Sequence, residues 1–445
     1  MQETFNLSNQ LEKINKSLFN ESDLYKCVGC GFCLQSCPTY IETGLEAESP
    51  RGRIALMKAV NEERIGIVKN VTDHWDLCIQ CRACEIACPS GVEYGKLINT
   101  TKILVNENTK KSKLEILSFK LGFLIIEKKY LLFSIGYITK FYKFVGLQSL
   151  LRSKLIEKLF SQKISTLEKK IPELSNNFFF NTHKKIPVKK GNLKRGKISL
   201  LVGCVMCITD ANAIYSTIRV LNFNGYEVII PKPQKCCGAI QNHAGYQQNL
   251  IKLAKNNIDS LLECNPDYIV SCSAGCGAQL KEYIHLFEHD PSYKIKAEKF
   301  SNITKDIHEL LVRNGYKKPK GKINSTVTFQ SPCHLSNAQK ITSPPIEILQ
   351  SIPGIKYIKM NDKGECCGAG GIYSITQSEM SNLLGKKKAL MVFNTGSNIV
   401  TTANPGCAIQ LRTHLNNPKN INKPILVNHV IELLDKSYTL EENTQ

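Results

Sequence analysis

Eight cysteines in two runs of one spacing, Cys27-x-x-Cys30-x-x-Cys33-x-x-x-Cys37-Pro38 and Cys78-x-x-Cys81-x-x-Cys84-x-x-x-Cys88-Pro89, concentrate the chemistry of this chain. Three thiolates two residues apart can wrap one turn of backbone around three corners of a [4Fe-4S] cube. In two-cluster proteins with this spacing the fourth cysteine, just before the proline, ligates the other cube. The expected assignment is therefore Cys27, Cys30, Cys33 and Cys88 on one cluster, and Cys78, Cys81, Cys84 and Cys37 on the second. The proline stops the preceding turn and fixes φ. Zinc fits less well, because its sites usually group four ligands as two separated pairs. A disulfide framework fits worse, since the chain is long and opens on polar, acidic Met1-Gln-Glu-Thr with no apolar signal core. The expected compartment is reducing: the cytoplasm, or the cytoplasmic side of a membrane.

A second set of cysteines lies further on. Cys204, the pair Cys236-Cys237 before Gly238, and Cys276 recur as Cys333, the pair Cys366-Cys367 before Gly368, and Cys407, displaced by 129, 130 and 131 residues. Adjacent cysteines alternate sides on a strand, but a tight turn, which the following glycine permits, can aim both at one centre. Soft metals prefer thiolates, so one reading is an additional metal or redox site made of these eight cysteines. The other is that small buried residues suit tight turns. Cys207, Cys264 and Cys272 have no counterparts in the duplication; Cys264 reads as core, and Cys272 lies four residues before Cys276. His243 and His334 sit close to these cysteines in sequence and are left without a role. No catalytic residue is expected on this chain: there is no G-x-G-x-x-G after a strand, no Walker motif and no Ser-His-Asp elbow. Gly368-Ala-Gly370-Gly371 belongs to the second Cys-Cys-Gly loop.

The elements that must carry these cysteines divide the 445 residues into domains. Residues 1–105 hold both cluster runs, the second displaced from the first by 51 residues. Ser49-Pro50-Arg51-Gly52-Arg53 reads as a turn into an amphipathic helix from Ile54 to Val60. Modest apolar content makes metal binding a large part of this domain's folding free energy. Residues 106–197 read as a helical segment and a basic linker. From Ile198 the texture changes to short buried-strand runs, at 198–202, 226–230 and 267–270, separated by helix-length segments. The plan repeats at 326–329, 355–358 and 398–402. The expected architecture is α+β: a mainly helical two-cluster domain, then two duplicated α/β lobes at 198–322 and 323–440. Each strand leads to a cysteine-bearing loop, so the thiols of each lobe should gather at the carboxyl edge of its sheet.

The formal charge of +20 raises the question of nucleic acid. Its sharpest cluster, from Lys184 to Lys197, sits in the expected linker without an aromatic-studded binding motif, so no nucleic-acid partner is expected. No stretch reaches the roughly 18 uninterrupted apolar residues of a membrane span. The nearest, Leu121 to Leu151, is broken by Glu127-Lys128-Lys129, Lys140 and Lys143. It reads first as a helix docked on the cluster domain or a partner subunit, and second as a basic interfacial helix on a membrane surface.

Cys30-Gly-Phe-Cys33 with Cys37-Pro-Thr-Tyr40, Pro50-Arg-Gly-Arg-Ile54, Asn256-Asn-Ile-Asp259, Gly275-Cys-Gly-Ala278 with Lys281-Glu-Tyr283, Cys366-Cys-Gly-Ala-Gly-Gly-Ile-Tyr373 and Ala403-Asn-Pro-Gly-Cys407 add a resemblance. Over nearly its whole length the chain resembles the iron–sulfur subunit of glycolate oxidase (glycolate dehydrogenase). That resemblance implies two [4Fe-4S] clusters on the eight cysteines of the two runs. It also implies partner subunits bearing FAD, with the substrate site, which oxidise glycolate to glyoxylate. This subunit of a CH-OH oxidoreductase complex would relay electrons from reduced flavin towards the quinone pool or another acceptor. Its expected place is peripheral, on the inner face of the cytoplasmic membrane. The Cys-Cys-Gly lobes resemble those of heterodisulfide reductase, where such a domain can hold a non-cubane cluster. That family typically ends each motif in C-x-x-C, whereas here Cys407 stands alone and three residues separate Cys272 from Cys276. The iron–sulfur subunits of anaerobic glycerol-3-phosphate dehydrogenase and of an L-lactate oxidation complex share these features. A cluster-containing regulatory protein is a different class of reading, opposed by cubes whose potentials suit one-electron relay.

Overall fold

Unbroken apolar runs alternating with amphipathic helices give two open, mostly parallel sheets, because strands buried on both faces need helices on both. A computed structural model describes residues 19–148, 171–180, 184–189, 191, 193–362, 364–415 and 424–442. The first sheet contains β1 (Lys184–Ile186), β2 (Gly196–Leu201), β3 (Tyr226–Ile230), β4 (Tyr268–Ser271) and β5 (Thr304–Asp306). The second contains β6 (Ser325–Phe329), β7 (Ile355–Tyr357), β8 (Ile399–Thr402) and β9 (Leu426–His429). Their orders are β1-β3-β2-β4-β5 and β7-β6-β8-β9, so β2 to β5 repeat as β6 to β9 with the same neighbours. Every pairing is parallel except β1 with β3. The fold is α+β with a duplicated α/β half, as expected.

Three strands per lobe were legible; the fourth was not. β5 and β9 are short and carry polar residues, ending at Asp306 and His429 instead of a cysteine. The lobes also share a core. Ile198, Leu200 and Val228 of the first sheet belong to one buried cluster with Val327 and Phe329 of the second and with Ile431 and Leu434 of the last helix, Val430–Glu442. That helix packs on helix Ala211–Phe223, where Ser216 Oγ donates to Asp435 at 2.8 Å and the Phe223 and Tyr438 rings stack at 4.2 Å.

Residues 106–197 depart from a simple linker. Phe178 and Phe179 are buried, the Phe179 amide donates to Cys207 O at 2.8 Å, and Lys184–Ile186 forms edge strand β1 on the first sheet. The helices Lys113–Glu127 and Lys129–Phe144 dock mainly on the first lobe, a correction to docking on the cluster domain. Phe123 meets the Tyr246 ring edge-on at 4.9 Å, and Leu132 joins the core of Leu201, Ile208 and Leu250. Gly136 allows the Phe178 ring so close that a Cβ there would lie 2.7 Å from it. No described helix is long and apolar enough to cross a membrane; residues 149–151 of the Leu121–Leu151 run lie outside the described residues.

The amino-terminal domain is helical. Ser49 caps the helix Pro50–Asn61, accepting from the Gly52 amide at 3.0 Å, with Pro50 at its first position. Met57, Trp75, Leu97 and Ile98 form a small core on which Cys78 and Cys84 also pack.

Candidate iron–sulfur and thiol sites

Both cysteine runs fold the same way. Gly29 and Gly31 have φ of +74° and +86°, and the residues 51 positions on, Gln80 and Arg82, each have φ of +58°. Left-handed backbone at these two points turns the chain sharply between the first and third cysteine of each run. Glycine adopts it freely; Gln80 and Arg82 pay roughly 1–3 kcal/mol each for it. Neighbouring lobes hold them there: Gln80 Nε2 donates to His243 O at 3.1 Å, and Arg82 pairs with Glu282.

The two runs sit in different surroundings. Cys30 is exposed, Cys27, Cys33 and Cys88 are half-buried, and Cys37, Cys78, Cys81 and Cys84 are buried. Cys37, Cys78, Cys81 and Cys84 line one small pocket. Burial pushes the Cys81 and Cys84 thiols well up, and charge on Cys37 and Cys78 raises both further. The chain thus brings Cys37 to the second run. Donors surround this set: Tyr94 Oη donates to Cys78 Sγ at 3.6 Å and Arg53 Nη1 to Cys37 Sγ at 3.9 Å. Near the other run, the Val92 amide donates to Cys88 Sγ at 3.5 Å. Converging N–H and O–H donors are what a cluster of four thiolates requires. The residues present therefore fit a cube.

Arg53 and Glu48 were not singled out as site residues, although Arg53 lies in the quoted Pro-Arg-Gly-Arg-Ile segment. Arg53 is 1 % exposed, pairs with Glu48 at 2.7 Å and donates to Thr39 Oγ1 at 3.0 Å. Burial opposes its charge, but Cys78, Tyr94, Cys37 and Glu48 more than offset that and hold it protonated. A permanent cation is thus fixed beside four thiols.

In the lobes the cysteines gather as expected at the carboxyl edges of the sheets. Cys204 Sγ donates to Cys236 Sγ at 3.5 Å, and hydrogen bonding joins Cys237 to Cys276. In the second lobe Cys333 Sγ lies 4.0 Å from Cys366 Sγ, and Cys367 Sγ donates to Cys407 Sγ at 3.1 Å. The first cysteine of each pair is held down and the second pushed up. Thiol donors Cys204 and Cys237 hold Cys236 well below the usual range, aided by the Gly238 amide; Cys333, Cys367 and the Gly368 amide do the same for Cys366. Among the described residues no three His, Cys, Asp or Glu side chains close on one point as a single bound ion requires.

Each lobe also places a lysine beside its thiolate, which the sequence pattern did not reveal. Lys388 is 1 % exposed and pairs with Asp362 at 2.8 Å. Lys129, from the docked helix, buries its Nζ without a hydrogen-bond partner near Cys207, Cys204 and Cys236. His243 and His334 stack at 5.4 Å, so the two unassigned histidines meet at the junction of the lobes. Cys207 and Cys272 pack as small buried residues, burial pushing them up to about 11 and about 12, whereas Cys264 is half-buried and not core.

The two thiol sites meet at a seam. The Ala274 amide donates to Ala403 O at 2.9 Å, and the Gly275 amide to Asn404 Oδ1 at 3.0 Å, joining the loops of Cys276 and Cys407. The second lobe's thiols adjoin a cluster run. Cys81 packs with Cys366, Ile79, Tyr373 and Cys333; Asn337 Nδ2 donates to Cys81 O at 2.9 Å and Tyr373 Oη to Leu77 O at 2.9 Å.

Comparison with known proteins agrees with this division. Residues 23–92 match the 4Fe-4S dicluster domain, and residues 198–281 and 327–412 each match the cysteine-rich domain. The chain is 33% identical over 430 residues to the probable glycolate oxidase iron-sulfur subunit of Bacillus subtilis, covering 96% of each. It is 28% identical to the glycolate oxidase iron-sulfur subunit of Escherichia coli, covering 98% of this chain and 99% of that one. Lactate utilization protein A of Bacillus licheniformis is 28% identical over 240 residues, 54% of this chain and 99% of that one. A crystal structure of a hypothetical protein from Helicobacter pylori shares the fold, with a TM-score of 0.54 at 9% identity, covering 97% of this chain and 76% of that one.

Proposed function

The chain belongs to the family of glycolate oxidase iron–sulfur subunits, and from that premise we propose that it is the electron-relay subunit of a flavin-dependent glycolate dehydrogenase. In this reading Cys27, Cys30, Cys33 and Cys88 hold an outer [4Fe-4S] cluster, and Cys78, Cys81, Cys84 and Cys37 an inner one. When bound, such clusters supply one-electron redox chemistry. FAD and the site for glycolate lie on partner subunits, the acceptor is membrane quinone, and the complex rests on the inner face of the membrane. The lobe cysteines Cys204, Cys236, Cys237, Cys276, Cys333, Cys366, Cys367 and Cys407 are the candidate ligands of a further metal or redox centre.

One observation carries the reading: the repeated cysteine runs are folded alike but placed one at the surface and one inside. Val28 and Phe32, beside the outer cysteines, are 73 % and 67 % exposed and offer a partner an apolar contact. Inside, Arg53 and Tyr94 place positive charge and a hydroxyl against the buried thiols, which lowers the cost of negative charge there. The backbone turns at Gly29, Gly31, Gln80 and Arg82 fix both sets of cysteines before any electron arrives, so little needs to reorganise.

An L-lactate complex is the second reading, favoured by the lactate utilization relatives. Their match covers about half of this chain, whereas the glycolate oxidase relatives match it almost end to end. Purification with co-expressed partners, followed by dye reduction with glycolate, D-lactate, glycerol 3-phosphate and L-lactate, separates the readings. Turnover with glycolate is expected; silence with glycolate and turnover with glycerol 3-phosphate or L-lactate reverses the choice.

A further inference from the structure

A cavity of ≈ 960 Å³ opens where the cluster domain, the docked helix Lys113–Glu127 and both lobes meet, and Cys78, Ile79 and Gln80 are among the residues that line it. It thus reaches Cys78, one of the inner thiols. Phe119, Phe123 and Ile126 of the helix, Ile240 of the first lobe and Tyr373 of the second supply apolar and aromatic walls. Lys111 stands at the rim with its ammonium 5.2 Å from the Phe119 ring centre, and Lys102, paired with Asp76 at 2.5 Å, lines the polar side. Lys69, Asp73, Lys110 and Glu115 also line it, so its apolar walls face a charged side; domain junctions are a usual place for a small-molecule pocket.

The helix that walls this cleft is apolar on both faces. Ser118, Phe119, Gly122, Phe123 and Ile126 follow helical spacing toward the cleft. Leu114, Leu117, Leu121 and Leu124 take the other face and remain 76 %, 61 %, 54 % and 44 % exposed. Lys113, Lys120 and Lys128 punctuate this stripe. Leucines among lysines on a helix surface suit the boundary of an anionic bilayer.

We propose that the cleft holds the ring of a lipid-borne quinone, with the leucine stripe of its wall helix resting on the membrane from which the quinone enters. This rests on the electron-relay reading and names its exit. A quinone ring there would take two electrons, one at a time, by way of the cluster that Cys37, Cys78, Cys81 and Cys84 would hold, and two protons from water at the cleft mouth, giving the quinol. The cluster held by Cys27, Cys30, Cys33 and Cys88 would supply the one-electron chemistry that replaces each electron passed on. The proximity of Cys78 selects a redox ligand, and the exposed stripe selects a membrane-borne one over a soluble acceptor.

Gly122 provides the test. A Cβ built there meets nothing within 4 Å, so the side chain of Gly122→Phe starts into open space at the cleft wall, and replacing a mid-helix glycine favours the helix. Using the complex purified anaerobically with its partners, the binding of a water-soluble short-chain naphthoquinone is titrated calorimetrically, and paramagnetic resonance of the reduced clusters is recorded with and without it. The probe is expected to bind wild type, to perturb the inner-cluster signal and to lose about tenfold or more in affinity in Gly122→Phe, equivalent to about 1.4 kcal/mol. Cluster reduction by glycolate should be unchanged in the variant. Leu117→Glu with Leu121→Glu should abolish sedimentation with phosphatidylglycerol vesicles while leaving probe affinity intact. Equal probe affinity in Gly122→Phe, a perturbation confined to the outer cluster, or vesicle binding that survives the two glutamates overturns the proposal. Failure of glycolate to reduce the clusters in wild type instead overturns the relay reading, whatever the probe does.

Discussion

The two cysteine runs repeat one backbone path in opposite settings. The outer run uses Gly29 and Gly31 for its left-handed turns, sits beside exposed Val28 and Phe32, and leaves Cys30 open to solvent. In the inner run the same turns fall on Gln80 and Arg82, whose side chains tie the run to the first lobe, while Asn337 and Tyr373 tie it to the second. The difference teaches that the strained copy is the one locked into the body of the protein. Its surroundings impose a conformation that glycine would adopt without help. Exposure then suits the outer run to meet a partner, and burial suits the inner run to pass electrons within the molecule.

Separating the two runs by mutation gives the largest expected effect. Cys81→Ser should remove the inner-cluster signal and lower the melting temperature, because this residue packs against Cys366 and Tyr373. Cys30→Ser should remove only the outer signal with a smaller loss of stability; equal melting temperatures for both variants would erase the distinction. Substrate-driven flavin reduction in the partner should survive both. Next comes Arg53→Met, which leaves buried Glu48 to its contact with His74 and should cost up to about 3–5 kcal/mol in denaturant unfolding. A cost within experimental error would mean that the ion pair does not hold the inner run. Val28→Glu with Phe32→Glu should leave stability nearly unchanged and slow cluster reduction by the partner flavin; stopped-flow absorbance shows whether the outer face is the entry.

Smaller effects sharpen the backbone argument. Gly29→Gln copies the inner run onto the outer one, where φ is +74° and a Cβ meets nothing within 4 Å, so only backbone strain is added. The expected loss is about 1–2 kcal/mol, with both clusters retained. The lobe seam offers a pH test. His429 Nε2 donates to Cys272 O at 2.8 Å, and burial, then His308, hold its pKa down to about 3, with Asp306 opposing. An unfolded histidine titrates near 6.5, so the stability of the neutral form is complete above about pH 6.5 and falls as pH drops towards 3, by up to about 1.4 kcal/mol per unit. His429→Gln should flatten that part of the stability profile.

The cysteine spacing made most of the candidate site legible, because two thiols two residues apart constrain the local backbone whatever surrounds it. Strands β2, β3, β4, β6, β7 and β8 were legible for a related reason: each is a short apolar run ending near a cysteine. β5 and β9 were not, because they carry polar residues and end at Asp306 and His429, with no cysteine to mark them. β1 was hidden in a lysine-rich connector, since Lys184 and Lys185 on an edge strand look like solvated chain. Arg53, Lys129 and Lys388 were invisible as neighbours of thiols because tertiary packing, not spacing, brings them there. The cleft at Cys78 needed four separate segments to meet, which no local pattern encodes.

Anaerobic iron analysis with paramagnetic resonance of the complex, reduced by glycolate, tests the central claim most directly. The account predicts about eight irons per chain from the two runs, more if the lobes are loaded, and two [4Fe-4S] signals that both appear on adding glycolate. About four irons, or clusters that glycolate leaves oxidised while glycerol 3-phosphate or L-lactate reduces them, would contradict it.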